Sequence, residues 1–124
     1  MNYLLDTNSC IYIFVDACPA LTERVQAMPE GSIGISAITY AELAVGTYRG
    51  KPPSESQLAR FIEEFPVLPF ELPTADRFGR LPFRRGNFDR LIAGHALSLD
   101  LTLITRNTGD FADIPGLRVE DWTQ

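Results

Sequence analysis

A chain of 124 residues and 13.8 kDa is long enough to bury one core and too short for a separate substrate domain, so a single domain spanning residues 1–124 is predicted. Its 45% hydrophobic and 22% charged residues are ordinary for a soluble globular protein; with no apolar stretch near the roughly 20 residues of a membrane span and no leader pattern, it is expected in the cytoplasm and off the membrane. A net charge of −5 and a pI near 4.7 exclude gripping nucleic acid by overall electrostatics. In chain order, Tyr3-Leu4-Leu5 predicts a short buried strand. Asp6-Thr7-Asn8-Ser9 then caps a helix bearing Ile11, Tyr12, Phe14 and Val15. Pro19 opens a second helix with Leu21, Val25 and Met28 at helical spacing. Residues 32–35 predict a second strand, and Thr39 with Glu42 has the form of a capping box opening a helix towards Arg49. Ser54 and Gln57 repeat that pattern ahead of the apolar stripe Leu58, Phe61, Ile62, Phe65. Residues 67–70 predict a strand that Pro69 confines to a sheet edge. A short helix over 74–81, a loop over 82–87, a helix over 89–99, a strand over 101–105 and a last strand at 118–120 complete the series.

Strands alternating with helices, in apolar runs without strict two-residue alternation, point to an α/β protein with a parallel sheet covered on both faces. Ligands of such sheets bind just past the carboxyl ends of strands. Asp6 follows the first strand and Asp110 lies in the loop after the 101–105 strand, while Glu42 and Asp89 are predicted in the first turns of helices. Four acids from distant parts of the chain therefore converge on one rim. Each has a purely structural explanation: Glu42 completes a capping box, Asp89 suits its helix dipole, Asp110 stabilises a turn after Gly109. Convergence argues further, because two carboxylates about 4 Å apart repel by roughly 4 kcal/mol at an effective dielectric near 20. Such a cluster calls for a cation or protons. Hard oxygen donors without cysteine or histidine favour Mg²⁺ or Mn²⁺ over zinc.

Other candidates are weaker. Cys10 and Cys18, eight positions apart with no CxxC or Cys/His pattern, support neither a zinc site nor a disulfide framework. His95 lies six residues beyond Asp89, about 240° around an ideal helix, so it reads as a structural histidine rather than a general base. Trp122 reads as an anchor closing the core. Five arginines, Arg77, Arg80, Arg84, Arg85 and Arg90, crowd one stretch, whereas Lys51 is the one lysine; the patch is either an anion-facing surface or a solvated face.

The segments LLDTN at 4–8, SAITYAEL at 36–43, FDRLIAGHAL at 88–97, TRNTGDF at 105–111 and IPGLRVEDW at 114–122 together resemble the PIN-domain ribonucleases, specifically the VapC toxins of type II toxin–antitoxin pairs. The resemblance implies a single PIN-like domain acting as a Mg²⁺-dependent endoribonuclease. Asp6, Glu42, Asp89 and Asp110 would form its catalytic metal site, with Mn²⁺ as an alternative ion and Thr7, Asn8 and Thr105 as polar neighbours. In some relatives the fourth acid stands at the position of Asn107, which here is neutral, so Asp110 completes the site or three acids suffice, and Asn107 is available to orient a water. The segment before FDRLIAGHAL is shorter than usual, which makes Arg84 and Arg85 candidate RNA contacts. The resemblance also implies a VapB-like antitoxin as partner and a homodimer, with Tyr12, Tyr40 and Tyr48 as candidate contact residues and Phe14 assigned to the core. Two rivals from another class fail on residues: a receiver-like domain needs a lysine after a late strand, and Asp6-Thr7-Asn8 breaks a DxDxT phosphatase motif. The surviving alternative is a PIN-like domain that binds RNA or protein without cutting.

Overall fold

The computed structural model of the chain describes residues 1–81 and 87–124. The predicted loop over 82–87 therefore falls, apart from Asn87, outside the described residues, as do Arg84 and Arg85. Five parallel strands form the sheet: β1 (Tyr3–Leu5), β2 (Ile33–Ser36), β3 (Val67–Leu68), β4 (Thr102–Ile104) and β5 (Val119–Glu120), in the order β3-β2-β1-β4-β5. Helices α1 (Thr7–Phe14), α2 (Pro19–Ala27), α3 (Ala37–Tyr48), α4 (Glu55–Glu64), α5 (Leu72–Gly79) and α6 (Phe88–Ser98) connect them, with a 3₁₀ turn at Thr108–Phe111. The chain winds outward from β1 to β3 on one side and from β4 to β5 on the other. This order reverses at the β1–β4 pair, which makes the crevice above those two strands the topological switch point.

Alternation along the strands divides the core in two. Leu5, Ile35 and Ile104 face a layer containing Cys10 of α1, Leu21 and Val25 of α2, Leu43 of α3, and Leu58 and Phe61 of α4. Leu4 and Leu103 face Ile92, Ala93 and Ala96 of α6, with Phe111 and Ile114 closing that side. Phe14 stacks on Phe61 at 4.7 Å between ring centroids, in the core as expected. Trp122, 1% exposed, meets the Tyr3 ring edge-on at 4.9 Å, which makes it the predicted anchor.

Where sequence and structure differ, side-chain hydrogen bonds explain the difference. The predicted capping box at Thr39 does not form. Ser36 caps α3 instead, accepting from the Ile38 amide at 3.0 Å, so α3 begins at Ala37 and Glu42 stands in its second turn rather than its first. Thr39 is fully buried within the helix. Ser54 and Gln57 do form a reciprocal capping box on α4. β3 is a two-residue edge strand, as Pro69 dictates, and α5 starts two residues earlier than predicted because Pro73 occupies its first turn.

Candidate active site

Asp6 is the first residue after β1 and the N-cap of α1, its Oδ1 accepting from the Ser9 amide at 2.8 Å. Its own amide donates to the Ile104 carbonyl at 3.0 Å, and the Ser9 hydroxyl donates to the same carbonyl at 3.3 Å. The ends of β1 and β4 are thus stitched together at the switch point, with the Asp6 carboxylate 6% exposed above them. Capping uses one carboxylate oxygen and leaves the other without a hydrogen bond among the described residues.

The remaining acids arrive from three other elements. Glu42 of α3 is half-buried and accepts from the Thr7 hydroxyl at 2.6 Å. The Thr39 hydroxyl lies 3.2 Å from that of Thr7, so α1 and α3 share a buried polar contact. Asp89 is the second residue of α6, which Asn87 caps through the Arg90 amide at 2.9 Å. Asp110 is exposed on the 3₁₀ turn, its amide bonded to the Asn107 carbonyl at 3.0 Å. Thr105 is buried and accepts from the Asn107 amide at 3.2 Å, whereas Asn8 and Asn107 are exposed at the rim.

Charge couples Glu42 to Asp89 and Asp6, and Asp89 to Asp6 and Asp110. Burial raises the Glu42 pKa above its ordinary 4.5; the Thr7 hydrogen bond opposes that rise, and the charges of Asp89 and Asp6 add to it. Burial likewise raises Asp89 above 3.8, with the Asp6 and Asp110 charges adding to it. The four acids predicted from strand ends and helix starts are thus linked in a chain of pairwise charge interactions. The acids are not drawn into a finished cage, however: among the described residues no three histidine, cysteine or acidic side chains are grouped closely enough to hold a metal. The donor chemistry nonetheless fits Mg²⁺, which binds through one or two carboxylates and keeps several waters.

Several predicted features lie elsewhere. His95 is fully buried, its Nδ1 2.7 Å from the Ser36 hydroxyl, and belongs to the packing between α3 and α6 rather than to the acid cluster. Of the arginine patch, Arg80 pairs with Asp76 and Arg90 with Asp113, each at 2.9 Å. Arg106, directly after Thr105, was not among the candidate residues. The available signal was a single basic residue inside TRNTGDF, at the end of the clearest strand.

A PIN-domain family model matches residues 3–117. The chain belongs to the PIN-domain family. Within that family its relatives are VapC proteins. Ribonuclease VapC1 of Haemophilus influenzae is 37% identical, with all of both chains covered. The tRNA(fMet)-specific endonuclease VapC of Salmonella typhimurium is 34% identical over 98% of each chain. The solved structure of DNA-bound VapBC from Salmonella typhimurium superimposes with a TM-score of 0.87 at 31% identity, covering 98% of both chains.

Proposed function

We propose that this protein is the toxin of a type II toxin–antitoxin pair, a Mg²⁺-dependent endoribonuclease kept silent by a VapB-like antitoxin. The observation that carries this reading is the mutual influence of Asp6, Glu42, Asp89 and Asp110 at the β1–β4 switch point. Relatives named as an endonuclease at 34% identity and a ribonuclease at 37%, and a VapBC complex of the same fold, support it. The cytoplasm, where RNA and an antitoxin coexist, is the compartment this activity requires.

Asp6, Glu42 and Asp89 would hold the ion, with Asp110 completing the set. When bound, the ion supplies polarisation of a phosphoryl oxygen, a water of lowered pKa, and stabilisation of the departing oxygen. The chain's own residues do the positioning. The Ser9 amide fixes one oxygen of Asp6 and the Thr7 hydroxyl fixes one oxygen of Glu42, which leaves the second oxygen of each carboxylate for the ion. Hydrolysis forms a bond from water oxygen to phosphorus and breaks the bond to the ribose 3′ oxygen, which leaves with a proton. The products are a 5′-phosphate and a 3′-hydroxyl, and no side-chain nucleophile is needed.

The test is cleavage of single-stranded RNA by purified protein with Mg²⁺, with EDTA, and in the Asp6→Asn variant. Cleavage in the first condition alone supports the proposal, and cleavage that survives EDTA or the substitution defeats it. Binding without cleavage by the wild type would favour the non-cutting alternative. The proposal includes a homodimer, for which the exposed apolar residues Val45 and Tyr48 of α3, 50% and 70% exposed, offer a surface. Sedimentation equilibrium distinguishes the dimer from a monomer.

A further inference from the structure

An acidic protein that cleaves RNA must hold a polyanion beside four carboxylates, and the ion neutralises only the phosphate under attack. Neighbouring phosphates need a cation elsewhere on the rim. Beside the switch point, beyond the carboxyl ends of β4 and β5, lies a cleft of about 350 Å³ lined by Tyr12, Ala17, Cys18, Arg106, Thr123 and Gln124. It is separate from the acid cluster: none of the four acids lines it. Arg106 is exposed and makes no ion pair within 4.0 Å among the described residues, unlike Arg24, Arg80, Arg90 and Arg118. Its charge reaches Asp121 only at longer range, where it helps to lower that carboxyl's pKa behind the stronger effect of the Thr123 hydrogen bond.

Geometry connects this cleft to the site. Arg106 is two residues beyond Ile104, whose carbonyl accepts the Asp6 amide at 3.0 Å. With about 3.8 Å between successive Cα atoms, the Arg106 backbone lies within about 8 Å of Ile104, the β4 end to which the Asp6 amide is bonded. Tyr12 lines the same cleft as Arg106 and is partly buried against the core, which places an aromatic residue and a guanidinium in one cleft. An arginine fork for phosphate with an aromatic wall for sugar or base is the pairing that single-stranded nucleic acid uses. We infer that the Arg106 cleft is an RNA subsite, binding the phosphate and ribose of a nucleotide next to the scissile one. The inference rests on the ribonuclease reading above and gives it a second anchor point.

The test measures affinity for a 15-nucleotide mixed-sequence single-stranded RNA between 50 and 200 mM KCl, using the cleavage-deficient Asp89→Asn chain with and without Arg106→Ala. Loss of one phosphate contact should weaken binding roughly tenfold at low salt and make the log–log salt slope shallower by about 0.7. Arg106→Lys should restore most of the slope. In the otherwise wild-type chain, the loss should fall on KM rather than kcat. Asp121→Asn separates a purely structural role: if it reproduces the Arg106→Ala effect, or if Arg106→Ala lowers the melting temperature with the salt slope unchanged, the subsite is overturned. Unchanged RNA binding with weakened antitoxin binding would overturn it equally, making the cleft a protein interface. Absence of metal-dependent cleavage by the wild type would instead defeat the ribonuclease reading, whereas cleavage with an unaltered slope defeats only the subsite.

Discussion

Asp6 does two jobs with one carboxylate, and substitutions separate them. Asparagine is as good an N-cap as aspartate, whereas alanine forfeits the bond to the Ser9 amide. Asp6→Asn should therefore leave unfolding free energy within a few tenths of a kcal/mol of wild type, while Asp6→Ala costs about 1 kcal/mol. Both should abolish cleavage, as chemical denaturation and RNA assays together would check. His95 makes the complementary case of a titratable group serving the fold. The Ser36 oxygen already accepts from the Ile38 amide, so its hydrogen is free to be donated to Nδ1 of the neutral ring. Burial holds the His95 pKa below its ordinary 6.5, and the Pro69 carbonyl only partly offsets this. The unfolded chain therefore binds the proton first, and the stabilisation is complete above pH 6.5 and declines as pH falls below it. Denaturation midpoints measured from pH 8 to pH 5 should drop on the acid side, and His95→Gln should flatten that drop.

At the scale of elements, α6 shows how packing and acid placement are joined. Gly94 lies where a Cβ would meet Phe78 of α5 at 3.1 Å, so the two helices approach closely only because the side chain is absent. Gly94→Ala should cost on the order of 1–3 kcal/mol through overpacking, measurable by urea denaturation. The same helix carries Asp89, whose raised pKa marks a cost of assembling the acid cluster. Glu42 and Asp89 favour their protonated forms in the fold, so their contribution to stability diminishes as pH rises through the carboxylate range. Asp89→Asn should accordingly raise the melting temperature at neutral pH in EDTA while eliminating cleavage. Elements were the most legible level of the sequence: caps, prolines and apolar spacing located every helix and strand to within a few residues. The start of α3 escaped because Thr39 and Glu42 imitate a capping box, and only the tertiary position of Ser36 beside His95 reveals the true cap. Strand ends and helix starts pointed to one rim for the acids, yet periodicity cannot supply the distances between them. Arg106 escaped for a related reason: a lone charge gains meaning only from the cleft around it.

For the whole molecule, the acid cluster makes stability depend on what binds there. A divalent ion that binds the folded chain and not the unfolded one stabilises by mass action, about 2.7 kcal/mol at a hundredfold excess over Kd. Melting temperature should rise with Mg²⁺ in the wild type and much less in Asp89→Asn, a difference readable by calorimetry. The stitching of β1 to β4 through the Ile104 carbonyl carries a final implication. The most deeply set acid hangs from the middle strand of the sheet, so no hinge or swinging segment can withdraw it while the domain stays folded. For Asp6, the described residues hold no internal safety catch. In the proposed toxin, restraint would come from another molecule that occupies the crevice, and losing that molecule would leave the deepest acid already in position.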